Sequence, residues 1–160
     1  MPPPSTSVAL VAECAGRLCA LPLARVVETM RPLPIVSVTG APPGVLGIAR
    51  IRGVPTVVVE LAAIVGPRDS GTADAAVAPL VEVGAGRSKR WVTIALPDRT
   101  VALAVDRVRG IRSLPPGVAL PPLLRSSDAG AVAAIAERDR DLVWVLSEGM
   151  QLPSETETAA

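Results

Sequence analysis

The sequence predicts an all-β protein made of two related small barrels, and three observations carry that prediction. The segment Arg17-Leu18-Cys19-Ala20-Leu21-Pro22-Leu23-Ala24-Arg25-Val26 returns as Arg99-Thr100-Val101-Ala102-Leu103-Ala104-Val105-Asp106-Arg107-Val108, an offset of 82 residues in a chain of 160. A fixed internal offset marks a duplicated unit. Apolar residues, Val foremost, make up 49% of the chain and mean hydropathy is +0.45, which supplies a strand-rich core. Short apolar runs also alternate with turn signals about ten residues apart, the rhythm of small barrels or a sandwich. Two such units side by side imply a cleft between them, the first place to look for function.

The elements follow in order. Met1 to Ser7 is a Pro/Ser tail. Val8–Cys14 and Leu18–Ala24 read as a hairpin around Ala15-Gly16-Arg17, with Arg25–Met30 prolonging its second strand. Prolines 32, 34, 42 and 43 punctuate a non-helical loop. Val45–Arg52 and Val57–Leu61 are strands around Gly53, and Leu61–Val65 makes one helical turn before Gly66-Pro67. Pro55 lacks an N–H, so the strand after Gly53 is expected to start late, near Val57, leaving Val54–Thr56 as loop. Residues 67–77 are polar and small, a linker between a first unit at 8–66 and a second at 78–152.

In the second unit, Ala78–Val83, Arg90–Leu96 and Thr100–Val108 are strands, with a turn at Pro97-Asp98-Arg99. Leu114–Pro122 is a Pro-rich loop, and Ala131–Ala136 pairs with Leu142–Leu146. Residues 153–160 form a polar tail. Trp144 is assigned to the core and Trp91 to an edge.

Composition narrows the function. Net charge is +1, which argues against a nucleic acid or a membrane surface as an electrostatic partner. Phe and Tyr are absent, so base stacking has little to work with. No apolar run approaches the roughly 18 residues of a membrane span, and no basic leader precedes Val8. The two cysteines make no disulfide framework and read as buried apolar residues of a cytoplasmic protein, although a Gly16-Arg17 turn would set Cys14 opposite Cys19. There is no His, no phosphate-cradling loop and no metal-spaced Cys cluster. Asp106 and Glu60 sit among apolar residues, where structural hydrogen bonding outweighs a catalytic pairing. Neither an enzyme nor a cofactor is expected.

The order of motifs resembles the CheW family, the adaptors of bacterial chemosensory arrays. Leu23-Ala24-Arg25-Val26-Val27-Glu28 runs into the proline loop, then Pro42-Pro43-Gly44-Val45-Leu46-Gly47-Ile48-Ala49-Arg50-Ile51-Arg52-Gly53 stands where the family carries Gly-hydrophobic-Asn-Leu-Arg-Gly. Val105-Asp106-Arg107-Val108 matches its Val-Asp-x-Val signature, and Ala129-Gly130 with Leu142–Leu146 its closing hairpin. The resemblance covers residues 8 to 152.

It implies two five-stranded SH3-like barrels with a hydrophobic groove between them. It also implies a non-catalytic role, bridging a chemoreceptor's cytoplasmic tip and the regulatory domain of a CheA-type histidine kinase, alongside other CheW-like proteins. The residues expected to make these contacts are Val45, Leu46 and Ile48 in the groove, Arg52 and Gly53 at its rim, Pro55 and Asp106. Receptor helices would lie on the apolar residues, with Arg52 pairing a receptor carboxylate. The sequence departs from the family at Pro55, at Glu60 for an Asp and at Ser147 for an Asp, which suggests weakened kinase binding. The alternatives are a generic SH3-like peptide module, disfavoured by the missing aromatics, and a ligand sensor or small enzyme using the inter-barrel cleft.

Overall fold

The computed structural model describes residues 7–14, 16–65, 90–119 and 132–147. The expected linker, the strand at 78–83, both tails and Ala129-Gly130 lie outside them. Strands β1 (Ser7–Cys14) and β2 (Arg17–Pro22) form the first hairpin, followed by a 3-10 turn at Leu23–Arg25 and β3 (Val26–Met30). Strands β4 (Val45–Ile51) and β5 (Val54–Glu60) form the second hairpin, and α1 (Leu61–Val65) is the expected single turn of helix. Then come β6 (Arg90–Ala95), β7 (Thr100–Val105), β8 (Arg107–Leu114), the short β9 (Val118–Ala119), β10 (Val132–Arg138) and β11 (Asp141–Leu146).

These strands make two sheets, ordered β8-β1-β2-β11-β10-β9 and β3-β6-β7-β5-β4. The all-β expectation holds. The halves 8–66 and 78–152, however, are interleaved, because each sheet draws strands from both. The repeat explains how. Both expected long strands, 18–30 and 100–108, break at matching places and cross to the other sheet. In the first copy Pro22, which has no N–H to extend a ladder, ends β2, and β3 pairs with β6. In the second the chain turns at Asp106, whose N–H donates to the Glu13 carbonyl at 2.8 Å, and β8 pairs with β1.

The exchange is reciprocal to the residue. Val26 faces Ile94 in one ladder and Val108 faces Ala12 in the other, and each ladder has a bulge at the following residue, Val27 or Arg109. Both sheets also contain one parallel pair, β5 with β7 and β11 with β2.

Among the described residues three apolar cores result. The largest lies between the sheets and includes Leu10, Leu21, Val59, Leu103, Val105 and Leu146. The two sheets are therefore held together along this line by packed aliphatic side chains. Fully burying each contributes about 1.5–3 kcal/mol. On the opposite face of the second sheet, Trp91 packs with Ala49, Ile51, Val58 and Ala102. On that of the first, Leu114 packs with Val11, Ala20 and Val143. The edge assignment of Trp91 is thus overturned, whereas Trp144 packs against the inter-sheet core as assigned. Trp91 is fully buried, its Nε1–H without an acceptor among the described residues, and Trp144 is half-buried with Arg17 over its ring at 5.2 Å.

The cysteines are buried as expected but do not face each other. Cys14 pairs with Arg17 and Cys19 with Ala12, so the two are diagonal neighbours, not opposite. Their Sγ atoms are 3.6 Å apart and both thiols are free and buried. The hydrogen bond with Cys19, then burial, pushes the Cys14 thiol up, keeping it protonated and unreactive.

Candidate partner-binding face

Six of the seven expected contact residues stand on one hairpin, β4–β5; Asp106 does not join them. Pairing of β5 with β7 runs parallel from Val57–Val101 to Glu60–Ala104. Asp106 lies past the far end of β7, and the hairpin turn lies before the near end of β5. The two are at opposite ends of the sheet.

The hairpin closes through Arg52-Gly53, at φ 49° and 81°. Positive φ at both central residues is the type I′ geometry that matches strand twist. Glycine at the second position adopts it without a Cβ clash. The β5 strand starts at once, at Val54, which corrects the late start expected from Pro55. The reason is register. In a two-residue hairpin Ile51 and Val54 form the hydrogen-bonded pair, so the next pair, Arg50–Pro55, exchanges no bonds. The missing N–H of Pro55 points away from β4, and β7 does not begin to pair until Val57.

Arg52 is not a free rim cation. Its Nε and Nη2 donate to both carboxylate oxygens of Glu28 on β3, at 2.9 and 2.7 Å. That bond holds the Glu28 carboxyl below its ordinary value. Since β3 and β4 are the two edges of this sheet, the pair ties the edges together and curls the sheet. Gly53 serves the turn.

The groove trio also divides. A bulge at Leu46 separates the pairs Val45–Val59 and Gly47–Val58, so side chains on either side of it change face. Val45 packs against the inter-sheet core and Leu46 against the Trp91 core. All three are half-buried, and Ile48 shares the face of Val45, since Val57 and Val59 are two apart on β5. The partner of Ile48 on β5 is Val57, and on its other side Val36 bridges to it through two hydrogen bonds of 2.8 and 2.9 Å. Cross-strand partners share a face. Val57, Ile48 and Val36 therefore form an apolar row, with Pro55 and Arg50 in the next row of the same face.

Val36 is 71% exposed, and Pro55 and Arg50 are exposed. Three strands at about 4.8 Å spacing give a row roughly 10 Å wide, the width of an α-helix. Val36 and Arg50 escaped the sequence reading. Arg50 could have been found from its two-residue spacing to Ile48, whereas Val36 is brought in by a tertiary bridge with no local signal.

The duplication repeats this face. On the other hairpin, Trp144 and Val118 flank Ile135, with Leu142 and Glu137 paired in the next row. Val118 is 73% and Leu142 61% exposed. The two faces thus share an apolar row and differ in flanking charge, Arg50 against Glu137.

The family model of the CheW-like domain matches residues 9–155. Among solved structures the chain is similar to the scaffolding protein TtCheW from Thermoanaerobacter tengcongensis. The match has a TM-score of 0.68 and 20% identity, covering 89% of this chain and 90% of that one. This likeness is one of fold, two SH3-like subdomains that correspond to the two sheets. No curated protein matches the chain in sequence. Among the described residues no helix is long and apolar enough to cross a membrane.

Proposed function

The chain belongs to the CheW-like family of chemotaxis scaffolds and adaptors, and on that premise we propose that it is a non-catalytic, cytoplasmic adaptor. It couples the cytoplasmic tips of chemoreceptors to the regulatory domain of a CheA-type histidine kinase. The observation that carries this reading is the helix-wide row Val57–Ile48–Val36 with Arg50 beside it. A receptor helix would lay its apolar face on the row and offer a carboxylate to Arg50. The equivalent row Trp144–Ile135–Val118, flanked by Glu137, would take the kinase domain or another CheW-like protein. The argument for weakened kinase binding from Pro55 falls away, because β5 runs its full length.

The test compares Val36→Asp with Val118→Asp, two exposed positions at the same place in the repeat. Each folded variant is titrated with a receptor-tip fragment and with the kinase regulatory domain. A carboxylate forced into an apolar contact costs on the order of several kcal/mol when fully desolvated. Val36→Asp is expected to abolish receptor-tip binding and to spare the kinase domain; Val118→Asp does the reverse. Receptor binding unchanged in Val36→Asp removes this face from the proposal.

A further inference from the structure

Beside the crossover from β7 to β8 lies an open depression lined by Arg31, Pro32, Arg90, Asp106, Arg107 and Val108. It is at the other end of the second sheet from the hairpin face. The β3–β6 register ends with Met30 opposite Trp91, and its next step sets Arg31 against Arg90. Like charges placed opposite each other repel. Among the described residues neither arginine pairs with a carboxylate. Arg107 is held loosely, 3.7 Å from Glu13, whose carboxylate Arg109 already engages at 2.7 Å. Asp106, the one acid among the described residues of the wall, has an interaction of its own.

The internal repeat supplies an independent argument. The positions equivalent to Arg31, Arg90 and Arg107, 82 residues away in each case, are Ser113, Val8 and Arg25. Val8 pairs with Ser113, and Arg25 donates to the Ala95 carbonyl at 3.4 Å. One corner thus keeps a single arginine of the three, bound to a carbonyl, whereas its counterpart gathers all three, and like charges left together lower stability. An unfavourable arrangement kept in one copy only points to something that compensates it.

We propose that this depression is a binding site for an acidic protein segment, whose carboxylates sit between Arg31 and Arg90 with Arg107 at the side. Guanidinium groups bind planar carboxylates in a two-pronged way. The depression is open, which suits a side-chain pair on a partner's surface better than an enclosed small ion. Because the arginines are exposed, binding is modest and weakens with salt.

The experiment follows arginine Nε–H signals by NMR in the whole chain at low salt, with tetraglutamate and inorganic phosphate as probes. Tetraglutamate is expected to shift Arg31 and Arg90 saturably and to leave Arg112, on the exposed part of β8, unmoved. Arg31→Gln and Arg90→Gln should each weaken it roughly fivefold, the size of one surface charge pair. Without the peptide, each variant should melt at or above the parent temperature, because repulsion is relieved. Phosphate binding at these signals as tightly as tetraglutamate would make this a small-anion site and overturn the proposal. Equal shifts at Arg112, or a lowered melting temperature in both variants, would overturn it as well.

Discussion

The two hairpins β4–β5 and β10–β11 make the same close approach to the chain beside them, with the glycine on opposite sides. In the first, a Cβ on Gly47, at φ 144°, would run into the Val36 carbonyl oxygen and come within 2.6 Å of Ile35 Cγ2. In the second, the position matching Gly47 is Ala134, and the neighbouring chain supplies the glycine: a Cβ on Gly117 would meet Ala134 Cβ at 2.8 Å. The bridge that follows is common to both, Val36 with Ile48 and Val118 with Ile135. What the fold requires is therefore the short backbone separation, and one glycine in either chain provides it.

The turns differ in the same spirit. Arg52-Gly53 places glycine at one of its two positive-φ positions, whereas Asp139-Arg140, at φ 51° and 70°, has none. Each hairpin end also reaches the opposite edge of its sheet, Arg52 to the Glu28 carboxylate and Arg138 to the Ser113 carbonyl. The first tie depends on charge at the acceptor and the second does not.

The largest expected effect is on Gly47. Gly47→Ala should destabilise by about 3 kcal/mol or more, from backbone overlap plus a strained φ. Adding Ile35→Gly should restore little, since the Val36 oxygen remains. Gly117→Ala should cost less, about 1–2 kcal/mol, and Ala134→Gly should recover most of it. Chemical denaturation of the four proteins checks both pairs. Equal losses at Gly47 and Gly117 would break the comparison.

Leu46 and Ala133 are the bulge residues of the two hairpins. Leu46→Asp should destabilise by about 2–3 kcal/mol, because the carboxylate would enter the Trp91 core unpartnered. Ala133→Asp, at an exposed position, should stay within about 0.5 kcal/mol of the parent. At the turns, Arg140→Gly should stabilise by about 0.5–1 kcal/mol, the relief of a left-handed residue less the extra unfolded entropy. Gly53→Ala should lose a similar amount. Melting temperatures, at about 2–4 °C per kcal/mol for a chain of this size, resolve both.

The smallest effect is on pH. Glu28 and Glu13 both have carboxyls held below 4.5, chiefly by the hydrogen bonds from Arg52 and Arg109. A depressed carboxylate stabilises the fold above its unfolded value, and that contribution is lost as pH falls through the folded one. Below pH 4.5 the Glu28 tie should therefore loosen the edges of the second sheet, while the Arg138–Ser113 tie of the first is untouched. Amide exchange in Val26–Met30 that accelerates on acidification, and a flatter stability profile in Glu28→Gln, are the expected readouts.

Much of this was written locally. The 82-residue repeat, the alternating apolar runs and the glycine and proline punctuation determined an all-β duplicated protein, because strand period and turn chemistry act over a few residues. The motif order determined the family. Local signals could not say which strands pair across the repeat, since the ladder partners of Val26 and Val108 lie in the other copy and depend on where Pro22 and Asp106 turn the chain. For that reason the two halves share one core.

The candidate site divided along the same line. Ile48 and Pro55 were legible as residues of one strand pair. That Arg52 is occupied by Glu28, that a bulge sends Leu46 to the Trp91 core, and that Val36 completes the apolar row were decided only by tertiary structure. A bulge shifts facing by one residue, and a long-range bridge joins positions whose separation in sequence carries no signal.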